Sequence, residues 1–360
     1  MTELLRTPLY DWHVAHHGRM VEFGGWEMPV QYTGIVEEHH AVRRAAGLFD
    51  ISHMGRLGFR GPQAGEFLQH LVTCRVDNLA VHQIRYGLMC REDGGVLDDV
   101  LVYRLEDSFG LVVNAGNRLK LLPWIAAQQS QFDCDVSDHT TNAVMLALQG
   151  PQVLAILQPL TTTDLASIKY YFGCTADVAS VPVYLSRTGY TGEDGVELVL
   201  DAAAARALAD KLLTLGVKPC GLGCRDTLRL EAAMPLYGHE LTESIDPLTA
   251  GLQFAVKLDK PDFIGKAALV EIAKRTDRPV RVGLQLAGRR IAREGAAVFV
   301  GDTRLGEVTS GTFSPTLDKV IAMAYVVPNF SSIGTAVEVD IRGKREAATV
   351  VKLPFYQRKK

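Results

Sequence analysis

From about residue 280 the chain stops alternating helix and strand and becomes a series of short strands. They read "VRVGLQLAG", "AAVFVGDTRLGEVTSG", "VIAMAYVV", "TAVEVDIRG" and "AATVVKLPF", with glycine and aspartate at the turns. Regularly spaced strands of this kind describe a small all-β sandwich or barrel. The remaining 280 or so residues are ample for one or two further domains, each with its own core.

Those earlier residues carry a mixed pattern. "IVEEHHAVRRAAGLFD" (35–50) reads as a helix, with apolar residues on one face and Gly47 as its stop. "PQAGEFLQHLV" is helical by period, and "QIRYGLMC" and "VLDDVLVYRL" read as paired strands around "REDGG". "NRLKLLPWIAAQQ" is helical, with Pro123 expected to break or bend it. "VPVYLSR" and "VELVLD" form a hairpin closed by "TGYTGEDG", followed by helices expected over 202–215 and 224–234.

Composition narrows the function classes. With 47% hydrophobic and 22% charged residues the chain is an ordinary globular protein. A net charge of −3 argues against a nucleic-acid binder that works by phosphate neutralisation. The N-terminal stretch lacks the apolar run of a signal peptide or membrane helix. Six scattered cysteines fit a reducing cytoplasm. Only Cys220 and Cys224 are close in sequence, without a second cluster at metal-ligand spacing, so core thiols and no metal are expected.

Three stretches can carry chemistry. In "GGVLDDVLVY" (94–103) two adjacent acids interrupt an apolar strand. Burying a carboxylate without a partner is costly, so one acid faces a cavity or a polar partner. Alternation sends Asp98 and Asp99 to opposite faces, and both faces are apolar, so period leaves open which is buried. An acid in such a setting has a raised pKa and is poised for proton transfer. The bland reading is an acid that caps or bridges a loop.

The loop "RTGYTGEDGVEL" (187–198) gathers Tyr190, Glu193, Asp194 and Glu197 at one end of a hairpin. A solvated acidic turn is the simple account of the first acids. Glu197 lies inside the following strand, where its carboxylate can accept two parallel hydrogen bonds from a planar amidine-like edge. In "GLGCRDTLRLEAAMPLYG", Arg225 sits in the first turn of a helix, where a cation opposes the dipole and calls for a carboxylate or an anionic ligand. Asp226 is the simple local compensator. Tyr86, Tyr103, Tyr170, Tyr171 and Tyr190 lie near these acids in sequence, and tyrosines stack on flat heterocycles.

"FGGWEMPVQY", "FDISHMG", "GGVLDDVLVY", "VVNAGN", "ALQGP", "RTGYTGEDGVEL", "RDTLRLEAAMPLYG", "VGLQLAG", "TSGTFSPTLDK" and "KLPFY" stand in the order found in one family. Over Thr7 to Tyr356 the chain resembles the folate-binding aminomethyltransferases, the T proteins of the glycine cleavage system. The resemblance implies an α+β fold, a three-domain cloverleaf around a central folate channel with a C-terminal all-β barrel or jelly-roll domain. It implies a discontinuous first domain (1–54 with 140–250), a second at 55–139 and the β domain at 275–360.

It also implies the reaction. The methylene carbon of an aminomethyl group on the lipoyl arm of the H protein passes to tetrahydrofolate, giving 5,10-methylenetetrahydrofolate, ammonia and dihydrolipoyl H protein. The family's catalytic aspartate maps to Asp99. Its folate contacts map to Tyr86, Asn114, Tyr170, Tyr171, Tyr190, Glu197, which reads the pterin edge, and Arg225. Tyr356 is the only local match for a C-terminal substrate tyrosine. A lipoylated H protein is the expected partner, with no nucleic acid or membrane. The alternatives are a stand-alone folate-dependent demethylase of a small substrate and a non-enzymatic folate-binding module. Basic runs such as "AVRRAAG" and "AGRRIAREG" are candidate docking faces for an acidic carrier protein.

Overall fold

The computed structural model describes residues 3–358. They form two compact units, one comprising the chain through Leu71 with Arg75–Gly87 and Val100–Arg225, the other comprising Val72–Cys74, Leu88–Asp99 and Asp226 onward. The elements are α+β, as expected.

In the first unit a six-stranded sheet runs in the order Gly173–Val178, Val181–Ser186, Gly195–Asp201, Ala143–Gln149, Gly47–Asp50, Lys218–Pro219. The neighbours are antiparallel except for the final, parallel pair. Alternate residues Leu146, Leu148, Leu185 and Leu198 face one core, covered by Ala205, Leu208, Ala209 and Leu212. Those four recur at helical spacing on Ala202–Thr214, and Asp201 starts that helix by accepting a 2.8 Å hydrogen bond from the Ala203 N–H. The hairpin 181–201 thus has the expected strands, paired from Val183 with Leu200 to Ser186 with Glu197.

Two helix boundaries in this region need correction. The helix beginning at Ile35 ends at Arg44, and Gly47–Asp50 is a fully buried strand. Leu48 and Phe49 pair with Leu148 and Ala147, a partner a hundred residues away that local period cannot reveal. Pro123 does not break its helix, which runs from Arg118 to Gln129. Proline leaves the Leu119 carbonyl without its intrahelical donor, and Leu119 is 70% exposed, so water can serve that group. The helix expected to begin at 224 begins at Leu222 and ends at Glu231.

A second sheet has the order Ile84–Cys90, Val96–Arg104, Phe109–Val113, Gly55–Arg60, Asp135–Asp138. A three-stranded sheet, Leu5–Arg6, Trp26–Gln31 and Arg19–Phe23, lies at the N-terminal end of the chain.

The second unit contains the β domain, which is a closed six-stranded barrel. Val280–Leu286 pairs with both Lys319–Val326 and Lys344–Val351, so the series closes and leaves no free edge. Val282, Leu284 and Leu286 point inward with Ala322, Ala324 and Val350. Polar hooks join the barrel to the end of the 222–231 helix. Glu231 accepts hydrogen bonds from Ser314 Oγ (2.5 Å) and Thr316 Oγ1 (2.8 Å), and Arg229 donates to Glu240 (2.8 Å) and Ser310 (2.9 Å). Among the described residues no helix is long and apolar enough to cross a membrane.

Candidate active site

The strand Val96–Arg104 separates its two acids cleanly. Val96, Asp98, Val100 and Val102 form the fully buried face, with Asp98 at 0% exposure. Asp99 and Leu101 are half-buried on the other face, with Tyr103 further along it. Asp99 therefore occupies the more open side of the strand.

The loop after Ser186 is built from inside. Gln149 donates from Nε2 to the Thr188 carbonyl (3.1 Å) and accepts from Thr191 Oγ1 (2.9 Å). Gly189 and Gly195 permit this approach, because a Cβ at either would stand 2.0–2.3 Å from Gln149 or the Leu148 carbonyl. Arg43 donates to the Thr191 carbonyl (2.8 Å) and to Glu193 (2.9 Å), an ion pair closed to solvent. Arg187 pairs with Asp194 at 2.5 Å. Two of the loop's acids are thus structural, and the expectation of a solvated acidic turn does not hold for Glu193. "AVRRAAG" loses Arg43 as a docking cation for the same reason. In "AGRRIAREG", Arg289 is paired with Asp318 and Arg290 with Glu346.

Tyr190, Glu197 and Arg225 come together. The Arg225 guanidinium carbon lies 4.8 Å from the centre of the Tyr190 ring. Arg225 is half-buried, and its Nη1 is shut off from solvent with no hydrogen-bond partner. Burial depresses its pKa, while the charge of Glu197 supports the cation. Glu197 is 5% exposed, and burial pushes its carboxyl up against the opposing pull of Thr188 and Arg225. Thr188 Oγ1 donates to Glu197 Oε2 at 2.5 Å, and Ser186 Oγ lies 2.9 Å from Thr188 Oγ1. Among the described residues Glu197 Oε1 takes no hydrogen bond and no ion pair joins Glu197 to Arg225. The pair offers an open acceptor and an unmatched buried donor beside an aromatic ring.

The other expected folate positions lie in the same unit. Tyr171 adopts a left-handed backbone (φ 60°), its ring lies 5.0 Å from that of Tyr170, and the Tyr171 N–H donates to the Arg187 carbonyl. Its carbonyl accepts from Ile84 N–H (2.8 Å), which ties in the strand that bears the half-buried Tyr86. Asn114 ends the strand Phe109–Val113, and its carbonyl accepts from the Asn117 and Arg118 N–H groups. In the second unit, the Tyr356 N–H donates to the Glu231 carbonyl.

Sequence reading missed two residues. Thr188 looks like any loop threonine until Glu197 is placed on its hydroxyl. His53, in "FDISHMG", is 2% exposed, and its Nδ1 is buried without a partner. Burial pulls its pKa down to about 3, with the charges of Arg225 and Arg56 adding to the effect and Asp50 opposing it.

Cys220, Cys224 and Glu38 have ligand atoms within 4.8 Å of one another. Glu38 already accepts four backbone N–H groups, from Tyr32, Thr33, Gly34 and Gly221. Burial raises the Cys224 pKa well above that of a free thiol. Those groups suit a hydrogen-bonded hub under the 222–231 helix better than an ion.

The GCVT N-terminal domain matches residues 9–260, and the glycine cleavage T-protein C-terminal barrel domain matches residues 280–357. An aminomethyltransferase of Symbiobacterium thermophilum is 49% identical over 366 residues, covering 98% of this chain and 98% of its own. One of Moorella thermoacetica is 49% identical over 365 residues and covers 100% of both. Among solved structures, the glycine cleavage system aminomethyltransferase T from Bartonella henselae matches with a TM-score of 0.92 at 38% identity, over 98% of each chain. The chain belongs to the glycine cleavage T-protein family, and its activity is that of an aminomethyltransferase.

Proposed function

We propose that this aminomethyltransferase uses tetrahydrofolate as acceptor and the aminomethyl-lipoyl arm of a glycine cleavage H protein as donor. The observation that carries the folate half is the pairing of an open carboxylate oxygen on Glu197 with the unmatched Nη1 of Arg225 beside the Tyr190 ring. A pterin fits those groups. Its ring N–H and amino group form a donor–donor edge for Glu197, its carbonyl is an acceptor for a cation, and its plane suits aromatic contact.

In this reading Glu197 and Arg225 orient the pterin, and Tyr86, Asn114, Tyr170, Tyr171 and Tyr190 line the folate. Asp99 positions and activates the folate nitrogen as nucleophile toward the aminomethyl carbon. That carbon leaves the lipoyl sulfur, which departs as the thiol, and loses ammonia as the methylene bridge closes between the two folate nitrogens. Little covalent help is required of the protein. Holding two substrates in register supplies several kcal/mol, and one acid–base group about 10²–10⁴-fold.

The division into 1–54 with 140–250, 55–139 and 275–360 belongs to the same proposal. It is supported by the six-stranded sheet, the five-stranded sheet and the barrel each drawing its strands from one of these segments. A cytoplasmic setting is supported by six free cysteines.

The test is ammonia release from aminomethyl-loaded, lipoylated H protein, with and without tetrahydrofolate. Fast release that depends on folate and yields methylenetetrahydrofolate is the expected result. Folate binding without release would shift the assignment to a demethylase of a small substrate or to a folate-binding module.

A further inference from the structure

We propose that Thr188, backed by Ser186, is the positioning residue of the pterin subsite: its hydroxyl takes one oxygen of Glu197 and leaves the other aimed at the ligand. This rests on the reading of Glu197 as the pterin acceptor.

Thr188 has a single hydroxyl hydrogen, and its 2.5 Å contact to Glu197 Oε2 is shorter than its 2.9 Å contact to Ser186 Oγ. With that hydrogen given to the carboxylate, Ser186 is the donor across the 2.9 Å Ser186–Thr188 contact. The chain then runs from Ser186 to Thr188 to Glu197 Oε2 and leaves Oε1 for the ligand, whose donor–donor edge requires Glu197 to be ionised. If Glu197 takes a proton, it offers one donor and one acceptor, the wrong match for a donor–donor edge. Both hydroxyl residues are 2% exposed, so water does not substitute for either.

Few other groups bear on this carboxylate. Arg225, from the 222–231 helix, favours its charge. The phenol of Tyr103, from the 96–104 strand, lies near Glu197, Ser186 and Thr188 and is itself held neutral by burial. The adjoining strand residue is Ala147, which has no charge. Burial drives Glu197 toward protonation, and Thr188 leads the forces that oppose it. The Thr188 backbone is held by Gln149, so the hydroxyl is fixed before ligand arrives.

The experiment is calorimetric titration with 5-formyltetrahydrofolate, an air-stable folate with the same pterin donor edge, between pH 5 and 8. The chains are wild type, Thr188→Val, Thr188→Ser and Glu197→Gln, with thermal melts to confirm folding. Thr188→Val is expected to bind about tenfold more weakly at pH 7. Its acid-side loss of binding is expected about one pH unit higher than in wild type, because removing a donor to the carboxylate raises its pKa. Thr188→Ser restores both, since it keeps the donor. A folded Thr188→Val with wild-type affinity and pH limb, alongside a Glu197→Gln that has lost binding, overturns the role of Thr188 alone. A Glu197→Gln that binds normally overturns the pterin reading beneath it.

Discussion

Arg225 stands over Tyr190 with its guanidinium carbon 4.8 Å from the ring centre, and its buried Nη1 has no acceptor of its own. A half-buried cation that stacks on an aromatic and keeps a sealed, unmatched donor is prepared for a planar acceptor. Arg225→Lys keeps the charge and loses the fork and the stacking plane. Its affinity for 5-formyltetrahydrofolate is expected to fall by on the order of 2 kcal/mol, about thirtyfold. An unchanged dissociation constant in calorimetry would remove Arg225 from the ligand contacts.

The two faces of the Val96–Arg104 strand give opposite expectations for adjacent acids. Asp99→Asn is expected to lower turnover by about 10²–10⁴-fold while folate affinity changes less than about threefold. Asp98→Asn, on the wholly buried face, is expected to lower the melting temperature with a smaller effect on turnover per folded enzyme. Equal losses of turnover and folate binding in Asp99→Asn would sink its catalytic role.

Arg43 and Glu193 form an ion pair with side chains 4% and 3% exposed. Removing one partner leaves a buried charge uncompensated, so Glu193→Ala and Arg43→Ala are each expected to cost about 3–5 kcal/mol of unfolding free energy. The double variant is expected to cost much less than the sum, because the second change removes the charge the first stranded. Urea unfolding of the three variants measures this coupling, and simple additivity would contradict it.

Acid stability has two windows. The pKa of His53 falls from its ordinary value near 6.5 to about 3 in the fold, chiefly through burial. The unfolded chain therefore binds the extra proton first, and stability drops by about 1.4 kcal/mol per pH unit below 6.5. Asp50 acts lower. Burial would raise its carboxyl, but hydrogen bonds from His13 (2.8 Å), Ser52 (2.5 Å) and Thr7 (2.7 Å) bring it down to about 2. Its stabilisation of roughly 2.5 kcal/mol is present above the unfolded value near 4 and is lost as pH falls toward 2. Between pH 6.5 and 4, His53→Gln is expected to remove about 3 kcal/mol of the wild-type decline, read from denaturant midpoints. An unaltered slope would show that His53 takes its proton equally well in both states.

Legibility in the sequence follows the range of the interactions. The barrel strands, the 181–201 hairpin and the helix over 202–214 are set by alternation, turn residues and helical period, all local properties of consecutive side chains. Gly47–Asp50 escaped because its identity as a strand comes from Leu146–Gln149, far along the chain. Glu193 escaped because its partner, Arg43, lies on a distant helix.

The sequence by itself determined that adjacent acids at 98 and 99 point to opposite faces, that a carboxylate at 197 sits within a strand, and that the arginine at 225 lies near the start of a helix. Resemblance of its ordered motifs to a family added an expected role for each. Only the tertiary structure decided that Asp98 is the acid fully sealed from water, that the loop acids are internal braces, and that Thr188 holds one oxygen of Glu197 and leaves the other open. Period supplies the parity of a strand but not its sign, because which face is covered depends on elements packed from elsewhere in the chain.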